Sequence, residues 1–273
     1  MTNLAGTIET DEAPSAREKI PGTAAFSKFV AVLQIVADSP GELSMAELCE
    51  RARLPRPTVY RIIAALRAEG FVGDAERLAL GPRLINLASQ SWVKFDLRTL
   101  ARSEIEDLRN LTGETVHLAV PSDTEMVYID KLESPQAVRM TSRIGTRVML
   151  HASSVGKAYL AALAEAERAT LLGRLKLLRM TPQTITRRKD LEAELERTIA
   201  RGYSVDGEET EPGTQCLGAA IRSRSGKPIG AISVSVPKYR FDQAAEERYP
   251  QLVVECARRI SAKFEHSQSP AAD

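Results

Sequence analysis

The stretch LPRPTVYRIIAAL, residues 54–66, sets side chains suited to phosphates and base edges beside an apolar stripe. Val59, Ile62, Ile63 and Leu66 recur at i, i+3, i+4 and i+7, the repeat of a helix that buries one face. Thr58, Tyr60, Arg61 and Arg67 then point outward. Arg56 precedes them, and Pro57 fits the first helical turn, where its missing N–H costs nothing and its fixed φ starts the helix. From Arg51 to Arg67 there are five arginines and no acidic residue, in a chain whose formal net charge is only +1. A local basic patch on a nearly neutral protein is the electrostatic footprint of DNA binding: guanidinium groups meet phosphates and base edges, and helix N-terminal amides meet phosphate. The blander alternative is a solvated helix face on an unrelated bundle.

The other reactive side chains form no catalytic pattern. Cys49, Cys216 and Cys256 lie far apart without C-x-x-C spacing, which argues against a disulfide framework or a cysteine-based zinc site and fits a reducing cytoplasm. A cysteine with His117 and His151 could be drawn into a Cys-His hydrolase, but no G-x-S-x-G, no H-x-x-x-H and no orienting third residue accompanies them. Residues 156–158, GKA, lack the upstream glycine and the following Ser/Thr of a P-loop. Asp206, Glu208, Glu209 and Glu211 read more simply as an exposed acidic turn than as a metal site. The expectation is a protein without catalytic, metal or cofactor sites. No apolar run approaches a membrane span and no secretory pattern opens the chain, so a cytoplasmic location with no membrane partner is expected.

These groups need elements to hold them. With 273 residues, 43% hydrophobic and 27% charged, the chain is long enough for two domains. Residues 1–22 are polar and aperiodic and read as a tail. Phe26, Phe29, Val30, Leu33 and Val36 mark a first helix that Pro40 and Gly41 end. In SMAE, Ser44 and Glu47 have the spacing of a capping box, so a second helix runs from about Met45 to Ala52. A turn of about four residues then leads into the arginine-bearing helix. That spacing is the helix-turn-helix, whose second helix enters the DNA major groove. GFVGDAERLALGPRL reads as a hairpin, the wing of a winged helix, from which Arg77 reaches the backbone of DNA. The DNA-binding set is Ser44, Arg56, Thr58, Tyr60, Arg61 and Arg77.

Pro82 opens a linker helix bearing Leu84, Leu87, Ala88, Ser91, Trp92 and Phe95, whose stripe could pair with a second subunit. Beyond it LARSEIEDLRNLTGE is helical as far as Gly113, and TVHLAV and EMVYIDKLE are strands around PSDT. AVRMTSRIG is expected as a further strand ending in a turn. HASSVGKAYLAAL begins a helix, RRKDLEAELERTIARG is a long one closed by Gly202, and LGAAIRSRSGKPIGAISVSV is two strands joined at RSGK. A last helix spans about Asp242 to Phe264. Arg139 and Arg143 could clamp an anion, although a solvated strand edge suits at least one of them.

This order of elements, with LPRPTVYRIIAAL, LGPRLINLA, HASSVGKAYLA, GYSVDGEE, GTQCLGAAI and GAISVS in sequence, resembles the IclR family of bacterial transcriptional regulators. The resemblance implies an α+β protein: a winged helix-turn-helix over 23–81, a linker helix over 82–95, a GAF-like effector-binding domain over 96–266, and a short tail over 267–273. It implies a homodimer that pairs into a tetramer, double-stranded operator DNA as one partner, and a small carboxylate effector as the other. YIDKLESPQAVRMTSRIG further resembles the branch answering to keto-deoxy sugar acids. An aromatic-acid operon is the alternative.

By match of motif the effector site comprises Val148, Ser154, Val155, Asp206, Cys216, Ser233 and Ser235. Ser233 and Ser235, two apart on a strand, share a face, and the Ser154 and Val155 amides lie at a helix start where a carboxylate is stabilised. Asp206 accepts from an effector hydroxyl. Many family members carry glycine where Ser154 stands, which makes this pocket smaller or more polar. Taken singly, Ser153 and Ser154 could simply cap a helix, Cys216 could be a small buried hydrophobe, and the serines could face solvent. With 5% aromatic residues, the chain offers few rings for an aromatic ligand.

Overall fold

A computed structural model describes residues 22–39, 41, 43–73, 77–92, 97–138 and 140–267. The chain divides after residue 94 into two compact units.

The first unit holds α1 (Ala24–Asp38), α2 (Met45–Ala52), α3 (Arg56–Ala68) and α4 (Pro82–Trp92). The start of α2 is the expected capping box: Ser44 Oγ accepts from the Glu47 amide at 3.3 Å, and Glu47 Oε2 accepts from the Ser44 amide at 2.8 Å. Arg53 closes α2 in the left-handed region, φ 50°, and turns the chain into α3. The α3 stripe of Val59, Ile62, Ile63 and Leu66 is buried with Val32, Val36, Leu43 and Leu48. Each such side chain contributes about 1.5–3 kcal/mol of transfer free energy. The wing pairs Val72 with Leu80, while Leu43 pairs with Leu78. Its turn at 74–76 lies outside the described residues. Arg67 departs from the outward orientation expected of it: its Nε donates to the Gly73 carbonyl at 3.2 Å and ties α3 to the wing.

The second unit holds α5 (Leu97–Thr112), β1 (Thr115–Ser122), β2 (Glu125–Leu132), β3 (Arg147–Met149), α6 (Ser154–Ala162), α7 (Glu165–Arg174), α8 (Arg188–Arg201), β4 (Ser204–Gly207), β5 (Thr214–Arg222), β6 (Pro228–Pro237) and α9 (Gln243–Ser267). The strands form an antiparallel sheet in the order β3-β2-β1-β6-β5-β4. One face is apolar: Val116, Leu118, Leu217, Ala219, Ile232 and Val234 pack with Ile105 and Leu108 of α5 and Val253 and Ile260 of α9. The other face takes α6 and is polar toward one end.

One expectation fails here. The strand expected over 137–145 does not form. Those of its residues that are described are irregular or turn, and the strand that pairs with β2 on the side away from β1 is β3. The turn expected at its end does form: Gly145 adopts φ 90° and leads the chain into β3. The short β4 and the helix α7 carried too weak a periodicity to be read. By contrast Gly202 caps α8 with φ 82°, as its position after a charged helix predicts.

Candidate nucleic-acid interface and effector site

On the first unit, Arg56, Tyr60 and Arg61 are exposed along one side of α3, opposite the buried stripe, with Thr58 half-buried beside them. Pro55 caps α3 and Pro57 has no N–H, and the Thr58 amide donates to the Pro55 carbonyl at 2.8 Å, so among the described residues only the Arg56 amide of this first turn stands open to an anion. Arg77, on the wing, is exposed. Ser44 is different: its hydroxyl donates to Glu47 Oε2 at 2.6 Å while accepting the Glu47 amide, so the capping box already engages it on both sides. This is a helix-turn-helix with its basic, hydroxyl-bearing face uncovered.

On the second unit, cross-strand register sets the site out in rows on the face that α6 covers. Asp206, Cys216, Ser235 and Thr115 are successive neighbours across β4, β5, β6 and β1. The next row runs Ser204, Gly218, Ser233, His117 and Lys131, and the third Ala220, Ala231, Ala119 and Tyr128. A bulge between Leu118 and Ala119 on β1 skips Ile129 of β2, so Tyr128 and Lys131, three apart, both reach this face.

Helix α6 descends on these rows by its N-terminus. Ser153 caps it, accepting the Gly156 amide at 3.1 Å and donating to the Met149 carbonyl at 2.8 Å. The Ser204 hydroxyl donates to the Ser154 carbonyl at 2.6 Å, which fixes the helix start over β4 and β5. Among the described residues the amides of Ser154 and Val155 and the hydroxyls of Ser154 and Ser233 find no hydrogen-bond partner; both serines are buried as residues, but their hydroxyl oxygens reach solvent. Val155 is buried in one apolar cluster with Tyr128 and Leu150, and Val148 of β3 packs against that cluster.

The remaining polar groups are engaged. Asp206 Oδ1 accepts the amides of Glu209 at 2.7 Å and Thr210 at 3.3 Å, and Oδ2 accepts the Thr210 hydroxyl, leaving room for one more donor. Burial raises the Asp206 carboxyl above its usual range, opposed by the Thr210 hydroxyl and by Lys157. Lys157, wholly buried on α6, pairs with Glu209. A chain of side chains runs from Cys216 Sγ to Ser235 Oγ at 3.2 Å, on to His117 Nδ1 at 3.3 Å, and from His117 Nε2 to Ser142 Oγ at 2.7 Å. Burial drives the His117 pKa down to about 3, helped by nearby Lys131, so the ring is neutral. Burial likewise raises the Cys216 thiol, which stays protonated and unreactive. All three cysteines are free and buried.

All seven expected effector residues thus meet around the start of α6. His117, Tyr128, Lys131 and Ser142 join them and were not foreseen as site residues. His117 and Tyr128 stack with centroids 4.3 Å apart, so the site has more ring surface than the composition of the whole chain implies. The only hint in the sequence is a histidine among apolar residues in TVHLAV. The acidic turn resolves into ion pairs, Glu208 with Lys238 and Glu209 with Lys157. Arg143 is exposed on the irregular segment before β3, and Arg139 lies outside the described residues. A groove of about 430 Å³ bordered by Tyr203, Arg222, Arg224 and Arg258 shares none of the expected effector residues.

A DNA-reading helix-turn-helix joined to a ligand-holding antiparallel α/β domain defines an effector-responsive transcriptional regulator. Comparison with known proteins agrees: the family description "IclR helix-turn-helix domain" matches residues 26–74 and "Bacterial transcriptional regulator IclR C-terminal" matches residues 89–262, so the chain belongs to the IclR family. Members of this family are regulators that bind operators and small effectors, not enzymes. The chain is 31% identical to the Escherichia coli HTH-type transcriptional regulator KdgR, over 89% of this chain and 93% of that protein. It is also 31% identical to the E. coli transcriptional repressor IclR, over 88% and 89%. Among solved structures, the Thermotoga maritima IclR is 34% identical with a TM-score of 0.73, covering 88% of this chain and 98% of that one. An IclR homologue from Microbacterium hydrocarbonoxydans complexed with 4-hydroxybenzoate is 26% identical with a TM-score of 0.74, covering 88% and 99%. Among the described residues, no helix is long and apolar enough to cross a membrane.

Proposed function

We propose that the protein represses a sugar-acid catabolic operon in the cytoplasm and that a keto-deoxy or aldonic acid releases it. The observation that carries this reading is the set of groups without protein partners at the start of α6: two amides and two hydroxyls open to a ligand, beside the Asp206 carboxylate. The amides and the helix dipole suit a carboxylate, while Ser233, Ser235 and Asp206 suit a hydroxylated body; Val148, Val155 and Cys216 bound it. Ser44, Arg56, Thr58, Tyr60, Arg61 and Arg77 contact operator DNA. The chain works as a homodimer, paired into a tetramer, with a DNA-binding domain over 23–81, a linker helix over 82–95 and an effector domain over 96–266. The effector favours one conformation of its domain, and the spacing of the paired recognition helices then no longer matches the operator. Likeness to KdgR and to the repressor IclR supports the reading.

The stacked rings of His117 and Tyr128 favour a second reading, an aromatic hydroxy-acid effector, as does the 4-hydroxybenzoate held by the M. hydrocarbonoxydans homologue. A thermal-shift panel separates the two. A sugar acid at a hundred times its dissociation constant stabilises the protein by about 2.7 kcal/mol and releases labelled operator in a gel shift. Stabilisation by aromatic acids and by no sugar acid rejects the first reading.

A further inference from the structure

We propose that Tyr128 is a specificity-determining residue of the effector site, its phenol reading an oxygen of the effector remote from the carboxylate. The inference rests on the effector-site reading above and assigns the far end of the ligand. Tyr128 is 8% exposed, yet among the described residues its hydroxyl has no hydrogen-bond partner. Arg109 Nε is the one fully buried side-chain nitrogen or oxygen without a partner among the described residues, so the Tyr128 hydroxyl reaches solvent and stands open to a ligand atom.

Three further observations aim the hydroxyl into the site. The skipped Ile129 rephases β2, so that Tyr128 shares its face with Ser233 and His117. The stack on His117 fixes the ring, and His117 is itself held at both nitrogens by Ser235 and Ser142. The phenol also lies within Coulombic reach of Cys216 and Asp206, both in the row that begins the site; with burial they raise its pKa, so it remains a neutral donor and acceptor. The α6 amides offer free N–H donors at the helix start, and Tyr128 offers a neutral hydroxyl. An effector therefore orients with its carboxylate at Ser154 and Val155 and a hydroxyl or carbonyl oxygen at Tyr128.

The test compares the wild-type full chain with Tyr128→Phe and Asp206→Ala by titration calorimetry. The probes are 2-keto-3-deoxy-D-gluconate, 4-hydroxybenzoate and pyruvate, which has a keto-acid head but no remote oxygen. Tyr128→Phe is expected to weaken whichever hydroxylated acid binds by at least about tenfold, a change of about 1.4 kcal/mol. Pyruvate affinity stays within about twofold, and the ligand-free melting temperature does not fall, because the hydroxyl supports no protein contact. If Asp206→Ala abolishes binding while Tyr128→Phe leaves it unchanged, the inference is overturned and the site reading stands. Equal weakening of both kinds of acid with a lowered melting temperature shows a structural tyrosine and also overturns it. If neither variant affects an acid that binds the wild type, or if none of the acids binds, the site reading fails and the inference with it.

Discussion

Gly218 lies so close beneath Ser154 that a Cβ on it would stand 2.8 Å from the Ser154 carbonyl carbon and oxygen, and as near to Ser204 Oγ. Two of these neighbours are backbone and cannot swing aside. The absence of a side chain on β5 is what allows the open amides of α6 to reach the row of Ser233.

Gly218→Ala should therefore lift the start of α6 from the sheet. Overpacking of this kind costs about 1–3 kcal/mol. The expected result is a lowered melting temperature together with at least about tenfold weaker effector binding, while DNA affinity without effector is retained. Unchanged effector affinity in a folded variant would show that the close approach does not shape the site.

Arg56→Ala and Arg61→Ala test the exposed side of α3. Replacing an arginine that reads a base costs about 1–3 kcal/mol of operator affinity and relaxes specificity at one position; replacing one that meets phosphate weakens all sequences alike and lowers the salt dependence. Fluorescence anisotropy against operator and scrambled DNA at two salt concentrations distinguishes these outcomes. If both variants bind as the wild type does, α3 is not the recognition helix.

Lys157 and Glu209 form a buried ion pair that joins α6 to the turn after β4. Lys157→Met leaves the Glu209 carboxyl buried without its cation, and breaking such a pair costs about 3–5 kcal/mol. Burial already raises that carboxyl, so it takes up a proton more readily still in the variant. Adding Glu209→Gln should recover part of the loss, measured by urea denaturation as a positive coupling between the two sites. Additive effects would remove the pair from the account of how α6 is held.

The pH dependence follows from His117. Its folded pKa of about 3 lies below the unfolded value of 6.5, so between these values the unfolded chain binds more protons. Stability from this residue is complete above pH 6.5 and is lost as pH falls, by about 1.4 kcal/mol per unit. Burial lowers His151 with the same sign, whereas the raised Asp206 and Glu209 act in the opposite sense. Compared with wild type, His117→Gln should flatten the stability curve between pH 6.5 and 4.5 by about one proton. Parallel curves would mean that the ring is not held neutral.

Ile85 and Leu87 of α4 are 74% and 47% exposed. Large apolar side chains left bare on one helix are candidates for a contact surface. Light scattering at micromolar concentration should find an oligomer, and Ile85→Asp should shift it toward monomer and weaken operator binding. A wild-type chain that is monomeric throughout would remove this surface from the assembly.

What the sequence determined by itself is local. The Ser44–Glu47 cap, the buried stripe of α3 and the Gly202 stop of α8 depend on residues a few positions apart, whose periodicity and capping chemistry act within one element. The seven residues proposed for the effector site were singled out through the order of their motifs, and the alternation of Ser233 and Ser235 put those two on one face. Tertiary structure decided which residues stand beside them. His117 and Ser235 meet across 118 positions of sequence, and Tyr128 joins them only because the pairing of β1 with β2 skips Ile129. Strand register is fixed by hydrogen bonds between distant segments and by packing against α6, and a one-residue slip turns a side chain to the opposite face. No pattern within TVHLAV or EMVYIDKLE contains that information, so the second wall of the site emerged only when the sheet was assembled.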